Sequence, residues 1–162
     1  MRILVSLHGT TIIHPTGAGR TREERVQQVR RREPSVRQYA AYIPIGNAVA
    51  KVQTWASQGA DIVYLSSHRR DEHVAQDRLV LVRYGFPPGD VVSRRASQTY
   101  ADVAECVAPD VLVEDDCESI GGEAEMVYPR LRDELKARST SIVVPEFGGI
   151  DHLPDDLTLL RH

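Results

Sequence analysis

The stretch Ile3-Leu4-Val5-Ser6-Leu7-His8-Gly9-Thr10 decides how this chain is read. Its first part is a near-continuous apolar run, not an alternating one, and such a run suits a strand covered on both faces in a parallel sheet. Four more runs of the same kind follow, at Ile62–Leu65, Val91–Ser93, Val111–Val113 and Ile142–Val144. Helical spacings lie between them. Asn47–Gln58 carries Val49, Val52 and Trp55, with Gly59 behind as a stop. Asp71–Tyr84 carries Val74, Leu79 and Val82 and ends at Gly85. Thr99–Val107 is stopped by Pro109, and Glu123–Ala137 carries Met126, Val127, Leu131 and Leu135, with Pro129 set to bend or restart it. Alternation of strand and helix predicts βαβ units with right-handed crossovers. The expected fold is therefore α/β, a three-layer Rossmann-like domain around a five-stranded, mainly parallel sheet.

The chain's 162 residues suit one domain, residues 1–162. Its 41% hydrophobic and 27% charged residues are ordinary for a soluble globular protein and exclude disordered and collagen-like classes. No apolar stretch approaches the ~18 residues of a transmembrane span, so no membrane is expected. Met1 leads straight into the first strand, which leaves no apolar leader and predicts a cytoplasmic location. Cys106 and Cys117 make no metal-type pair and are expected to be free thiols.

The net charge of −3 is unevenly spread: residues 1–98 are net +7 and residues 99–162 net −10. Part of the positive half lies in an insert at about residues 12–44, where Arg20–Arg37 holds seven Arg against three Glu. Thr21-Arg-Glu-Glu24 reads as a capping box that starts a basic helix, and the insert is expected to form a small flap after the first strand. A nucleic-acid role is disfavoured by the pI of 6.1 and the scarcity of aromatic residues for stacking.

In open α/β sheets ligands sit beyond the carboxyl ends of the strands. The residues there are Ser6, His8, Gly9 and Thr10 after the first strand, Ser66, Ser67, His68 and Arg69 after the second, Arg94 after the third, and Glu114, Asp115 and Asp116 after the fourth. The tail Pro145–Pro154 follows the fifth and either folds back with Glu146 or His152 or packs as an arm. His14 and His73 have no partner at ligand spacing, and His162 sits in the tail.

Ile3–Thr10, Tyr64–Arg69 and Val111–Asp116, in that order, resemble three motifs of the haloacid dehalogenase-like phosphohydrolases. The resemblance covers about residues 1–145, and each motif alone is weak. It implies a sheet ordered 5-4-1-2-3 with an insertion after the first strand. It also implies phosphate binding by Gly9, Thr10, Ser66 or Ser67, with Arg69 and Arg94 as neighbouring cations, and weak magnesium binding by Glu114, Asp115 and Asp116. Ser6 stands where the family has its nucleophilic Asp and His8 where it has its acid and base, so these are the catalytic candidates. Serine is a poor nucleophile without an activating base. The family's Lys is also missing, with Tyr100 near that place. The leading expectation is a catalytically degenerate domain that keeps an anion pocket for a phosphorylated small molecule or a regulatory role. The alternatives are a magnesium-dependent phosphohydrolase or phosphotransferase with a substitute nucleophile, and a homo-oligomeric interaction module built on the Arg-rich insert.

Overall fold

The computed structural model describes residues 1–161; His162 lies outside the described residues. In chain order the elements are β1 (Arg2–Ser6), β2 (Ile12–Ile13), α1 (Arg22–Arg30), β3 (Ile43–Pro44), α2 (Ala48–Ser57), β4 (Asp61–Leu65), α3 (Asp71–Tyr84), β5 (Asp90–Val92), α4 (Tyr100–Val107), β6 (Val111–Asp115), α5 (Asp133–Lys136) and β7 (Thr140–Val144). Five strands form one sheet in which every pairing is parallel. Its order in chain numbering is β5-β4-β1-β6-β7 and not 5-4-1-2-3. The insert accounts for the change of numerals, because its β2 and β3 pair antiparallel in a separate small sheet. Counted among the five sheet strands alone, the order reads 3-2-1-4-5, which is 5-4-1-2-3 from the opposite edge.

The central β1 is buried on both faces, as its continuous apolar run requires. Ile3, Val5 and Leu7 pack with Val52 and Trp55 of α2, Val80 and Leu81 of α3, and Ile150, Leu157 and Leu160 of the tail. Leu4 turns the other way, toward Ala101 and Ala104 of α4 and toward Val127, Leu131 and Leu135. These two cores make the three layers. No helix among the described residues is long and apolar enough to cross a membrane.

Two helices differ from expectation. Glu123–Ala137 is not one helix but two 3-10 turns, Gly122–Glu125 and Tyr128–Arg130, followed by the short α5. Pro129 sits in the second turn, where its ring and missing N–H stop helical propagation. In α3 the buried face is Val74, Asp77, Val80 and Leu81, while Leu79 and Val82 are exposed. The predicted start of α1 is present: Thr21 Oγ1 accepts from the Glu24 N–H, and the Glu24 carboxylate accepts from the Thr21 N–H.

The insert is docked rather than free. Val26 packs with Ile13, Ile45 and Phe147. Arg25 donates to the carbonyls of Gly17 (3.0 Å) and Phe147 (2.8 Å), while Arg22 pairs with Glu118 and lies 3.5 Å from Asp116. Part of the insert's positive charge is thus paired with acids of the other half of the chain.

Candidate functional site

A cavity of about 300 Å³ opens at the carboxyl ends of β1, β4 and β6. Ser6, His8 and Gly9 line it from β1, Ser67 and His68 from β4, and Asp115 and Cys117 from β6. Glu146 and Phe147 come from the tail, and Val36, Tyr39 and Tyr42 from the insert. No Arg or Lys lines it among the described residues.

One side of the cavity carries a hydrogen-bonded chain. Ser67 Oγ lies 2.7 Å from His8 Nδ1, and His8 Nε2 lies 2.9 Å from Asp77 Oδ1. The Ser67 backbone N–H also points at Nδ1, at 3.4 Å. That assigns Nδ1 as the acceptor and leaves Nε2–H to donate to Asp77. Ser66 Oγ donates to the other Asp77 oxygen at 2.6 Å and accepts from the His68 N–H at 3.1 Å. Asp77 is fully buried. Burial alone would raise its pKa, but the charge and hydrogen bond of His8 and the hydroxyl of Ser66 bring it below the ordinary value. His68, next to His8 with ring centroids 4.5 Å apart, is pushed down to about 4, first by burial and then by His8.

Acids gather on the other side. Asp115, Asp116 and Glu146 each bring a carboxylate oxygen within 4.8 Å of the others, a group that could hold a metal ion. Asp115 accepts from Thr10 Oγ1 at 2.7 Å and from the Cys117 N–H at 2.9 Å. Glu146 accepts from the Ser119 N–H and hydroxyl, at 2.6 and 2.7 Å. Burial pushes Glu146 up to about 7, and the charges of Asp115 and Asp116 push the same way against the Ser119 hydrogen bonds. Asp115 is also raised, mainly by burial. Gly9 lies under this group with φ +83°, and a Cβ there would come within 3.0 Å of Asp115 Oδ2 and 3.1 Å of Glu146 Cγ. Only glycine suits that conformation and that closeness.

The candidates from sequence are partly reassigned. Ser6 lines the cavity but makes no side-chain hydrogen bond to His8, whose ring turns to Ser67 and Asp77 instead. Ser66 and Thr10 are fully buried, each spending its hydroxyl on a carboxylate, so neither faces a ligand. Of Ser66 and Ser67 it is Ser67 that lines the cavity, and the N-cap of α3 is Arg70. Arg69 reaches away to the carbonyls of Ala96 and Gln98. Arg94 stacks on Tyr100, 3.7 Å from the ring centre, and donates to the Ser67 carbonyl at 3.0 Å. Glu114 leaves the acid group and accepts the backbone N–H groups of Val127 and Tyr128, at 2.7 and 2.9 Å. Glu146 takes the third place, delivered by the tail, while His152 stays exposed. His14 is buried against Gln28, with Nε2 2.9 Å from Oε1.

Asp77 was not a candidate at all. Its signal was its position: three residues after Val74 and three before Val80, a carboxylate sits on the face that α3 buries.

No protein-family model and no curated protein matches the sequence. Among solved structures, a chain of the Pnkp1/Rnl/Hen1 complex superposes with a TM-score of 0.55 at 11% identity, over 90% of this chain and 46% of that one. The present chain thus spans about half the length of that neighbour. A universal stress protein in complex with cAMP aligns over 90% of this chain and 95% of its own at 16% identity, but its TM-score of 0.37 carries no argument. The class these findings define is a three-layer α/β domain with a five-stranded parallel sheet. At this identity the likeness concerns the fold alone.

Proposed function

We propose that this chain is a binding domain for a phosphorylated small molecule, seated in the strand-end cavity and held through a divalent cation, with magnesium the expected ion. The observation that carries this reading is the cavity itself, which collects Asp115 and Glu146 beside a Ser6 that has no carboxylate. Oxygen-only donors suit a hard cation, and Glu146 supplies the charge that residue 6 lacks. With no Arg or Lys in the lining, a phosphate has to meet the protein through such an ion. Ser6 forms no aspartyl-phosphate, and its would-be base is turned elsewhere, so binding is favoured over phosphohydrolysis. An interaction module draws less support, because Arg22, Arg25 and Arg30 are engaged within the molecule.

Calorimetric titration tests the reading. Magnesium is expected to bind alone at millimolar concentration, and inorganic phosphate only in its presence. Asp115→Asn should weaken magnesium binding at least about tenfold, the loss usual for a perturbed metal site. Absence of magnesium binding, or phosphate binding undiminished by EDTA, refutes it.

A further inference from the structure

We propose that Ser67, His8 and Asp77 form a nucleophilic relay that opens on the cavity and cleaves carboxylic esters. The inference goes beyond the cation-dependent reading and does not need it, since no cation enters the chemistry.

Three observations carry it. The first is connectivity: Ser67 Oγ, the His8 ring and Asp77 Oδ1 are linked in that order at 2.7 and 2.9 Å, the mutual placement of nucleophile, base and orienting acid that activates a serine. The second is the gradient of burial. Ser67 is exposed and lines the cavity, His8 is half-buried, and Asp77 is fully buried. The reacting hydroxyl meets solvent while the charge that holds the base does not. The third is preorganisation. Ser66 fixes the second Asp77 oxygen at 2.6 Å. Arg94 Nη2 and Tyr100 OH donate to the Ser67 carbonyl at 3.0 and 3.3 Å, which holds the backbone of the nucleophile. A serine–histidine contact kept for packing alone would not need its acid clamped and its main chain pinned.

The cavity wall sets the substrate class. Val36, Tyr39, Tyr42 and Leu65 provide apolar and aromatic surface in the cavity that Ser67 lines, and among the described residues no Arg or Lys lines it. This wall suits an uncharged acyl group, whereas a cation-held phosphate would sit on the acid side of the cavity, at Asp115 and Glu146.

In the step, Ser67 Oγ bonds to the ester carbonyl carbon as its proton passes to His8 Nδ1, and the imidazolium so formed faces Asp77. The tetrahedral adduct then breaks its bond to the alcohol oxygen. The alcohol leaves with the proton from Nδ1, and Ser67 is acylated. Water attacks the acyl carbon, gives one proton to Nδ1, and the Ser67–acyl bond breaks. Ser67 takes the proton back and the carboxylic acid departs. Ser67 and His8 are the catalytic residues, and Asp77 is a positioning residue.

The test uses the full chain in EDTA, with a fluorophosphonate probe read by peptide mass spectrometry and p-nitrophenyl butyrate read by absorbance. The probe is expected on Ser67, and Ser67→Ala should abolish both labelling and turnover without moving the melting temperature. His8→Gln should slow labelling about a hundredfold or more, the usual size of a general-base contribution. In the wild-type chain the labelling rate should rise with pH through one ionisation and then level off. Asp77→Asn should lower the rate and move that ionisation to lower pH, because the imidazolium loses its counter-charge; a packing role would leave the ionisation in place. No modification of Ser67 in the wild type, modification elsewhere, or a rate that climbs without levelling overturns the relay. Because EDTA is present throughout, a failure here is distinct from a failure to bind magnesium.

Discussion

The two sides of the cavity bury a carboxylate in opposite ways. Asp77 is matched: a histidine faces one oxygen and a serine hydroxyl the other, and its pKa falls despite burial. Asp115 and Glu146 have hydroxyl and backbone donors but, among the described residues, no cationic side chain in contact, and both are raised. The contrast separates a carboxylate whose charge its partners favour from two whose charge burial and neighbouring acids disfavour. It also explains why the first side reads as a relay and the second as a seat for an ion.

The largest expected effect comes from removing the matched acid. Asp77→Ala should cost about 3–5 kcal/mol in urea denaturation, because the partners of a buried charge are left without it. Asp115→Asn should change stability by less than about 1 kcal/mol, since the lost charge was opposed by its neighbours and the amide keeps an acceptor for Cys117. Equal losses at the two sites would erase the distinction.

A smaller pair of substitutions sharpens it. Ser66→Ala and Thr10→Val each delete one buried hydroxyl that donates to a carboxylate, at 2.6 and 2.7 Å. Loss of the Ser66 bond, to an ionised group, should cost about 1.5–3 kcal/mol, against about 1 kcal/mol for the Thr10 bond to a raised acid. Denaturation midpoints at constant m-value decide it.

The smallest effect is the sign of the pH response. Glu146, at about 7 when folded, binds more protons in the native than in the unfolded chain. Its contribution is full below the ordinary glutamate range and is lost as pH rises through about 7. His68, at about 4 when folded, binds fewer, so its contribution is full above the ordinary histidine range and is lost as pH falls through about 4. The melting temperature of Glu146→Gln should therefore gain on the wild type between pH 5 and 8, and that of His68→Gln should gain as the pH is lowered from 7 to 4. Parallel profiles for both variants would contradict the opposed environments.

Much of this scaffold is written locally in the chain. The five sheet strands announce themselves because a strand buried on two faces must be continuously apolar, and Val5 or Val113 leaves no ambiguity. The cap at Thr21 and the inward return of Glu146 involve residues that the sequence singles out. What it hides is which neighbour a side chain chooses. Ser66 and Ser67 differ by one position, yet one enters the core and the other the cavity, because successive residues leaving a strand face opposite ways. Asp77 is one carboxylate in a helix whose charged residues otherwise point outward, and its partner lies 69 positions away. Strands of two residues such as β2 and β3 are too brief to leave a period in the sequence.

Gly9 couples the two sides of the cavity mechanically. His8 on one side of it is committed to α3, and Thr10 on the other to β6. Two trans peptide links reach no farther than about 7 Å, so this hinge fixes the spacing between the basic and acidic halves of the chamber. Neither half can drift without dragging the other, and an insertion of one residue at this point would uncouple both at once.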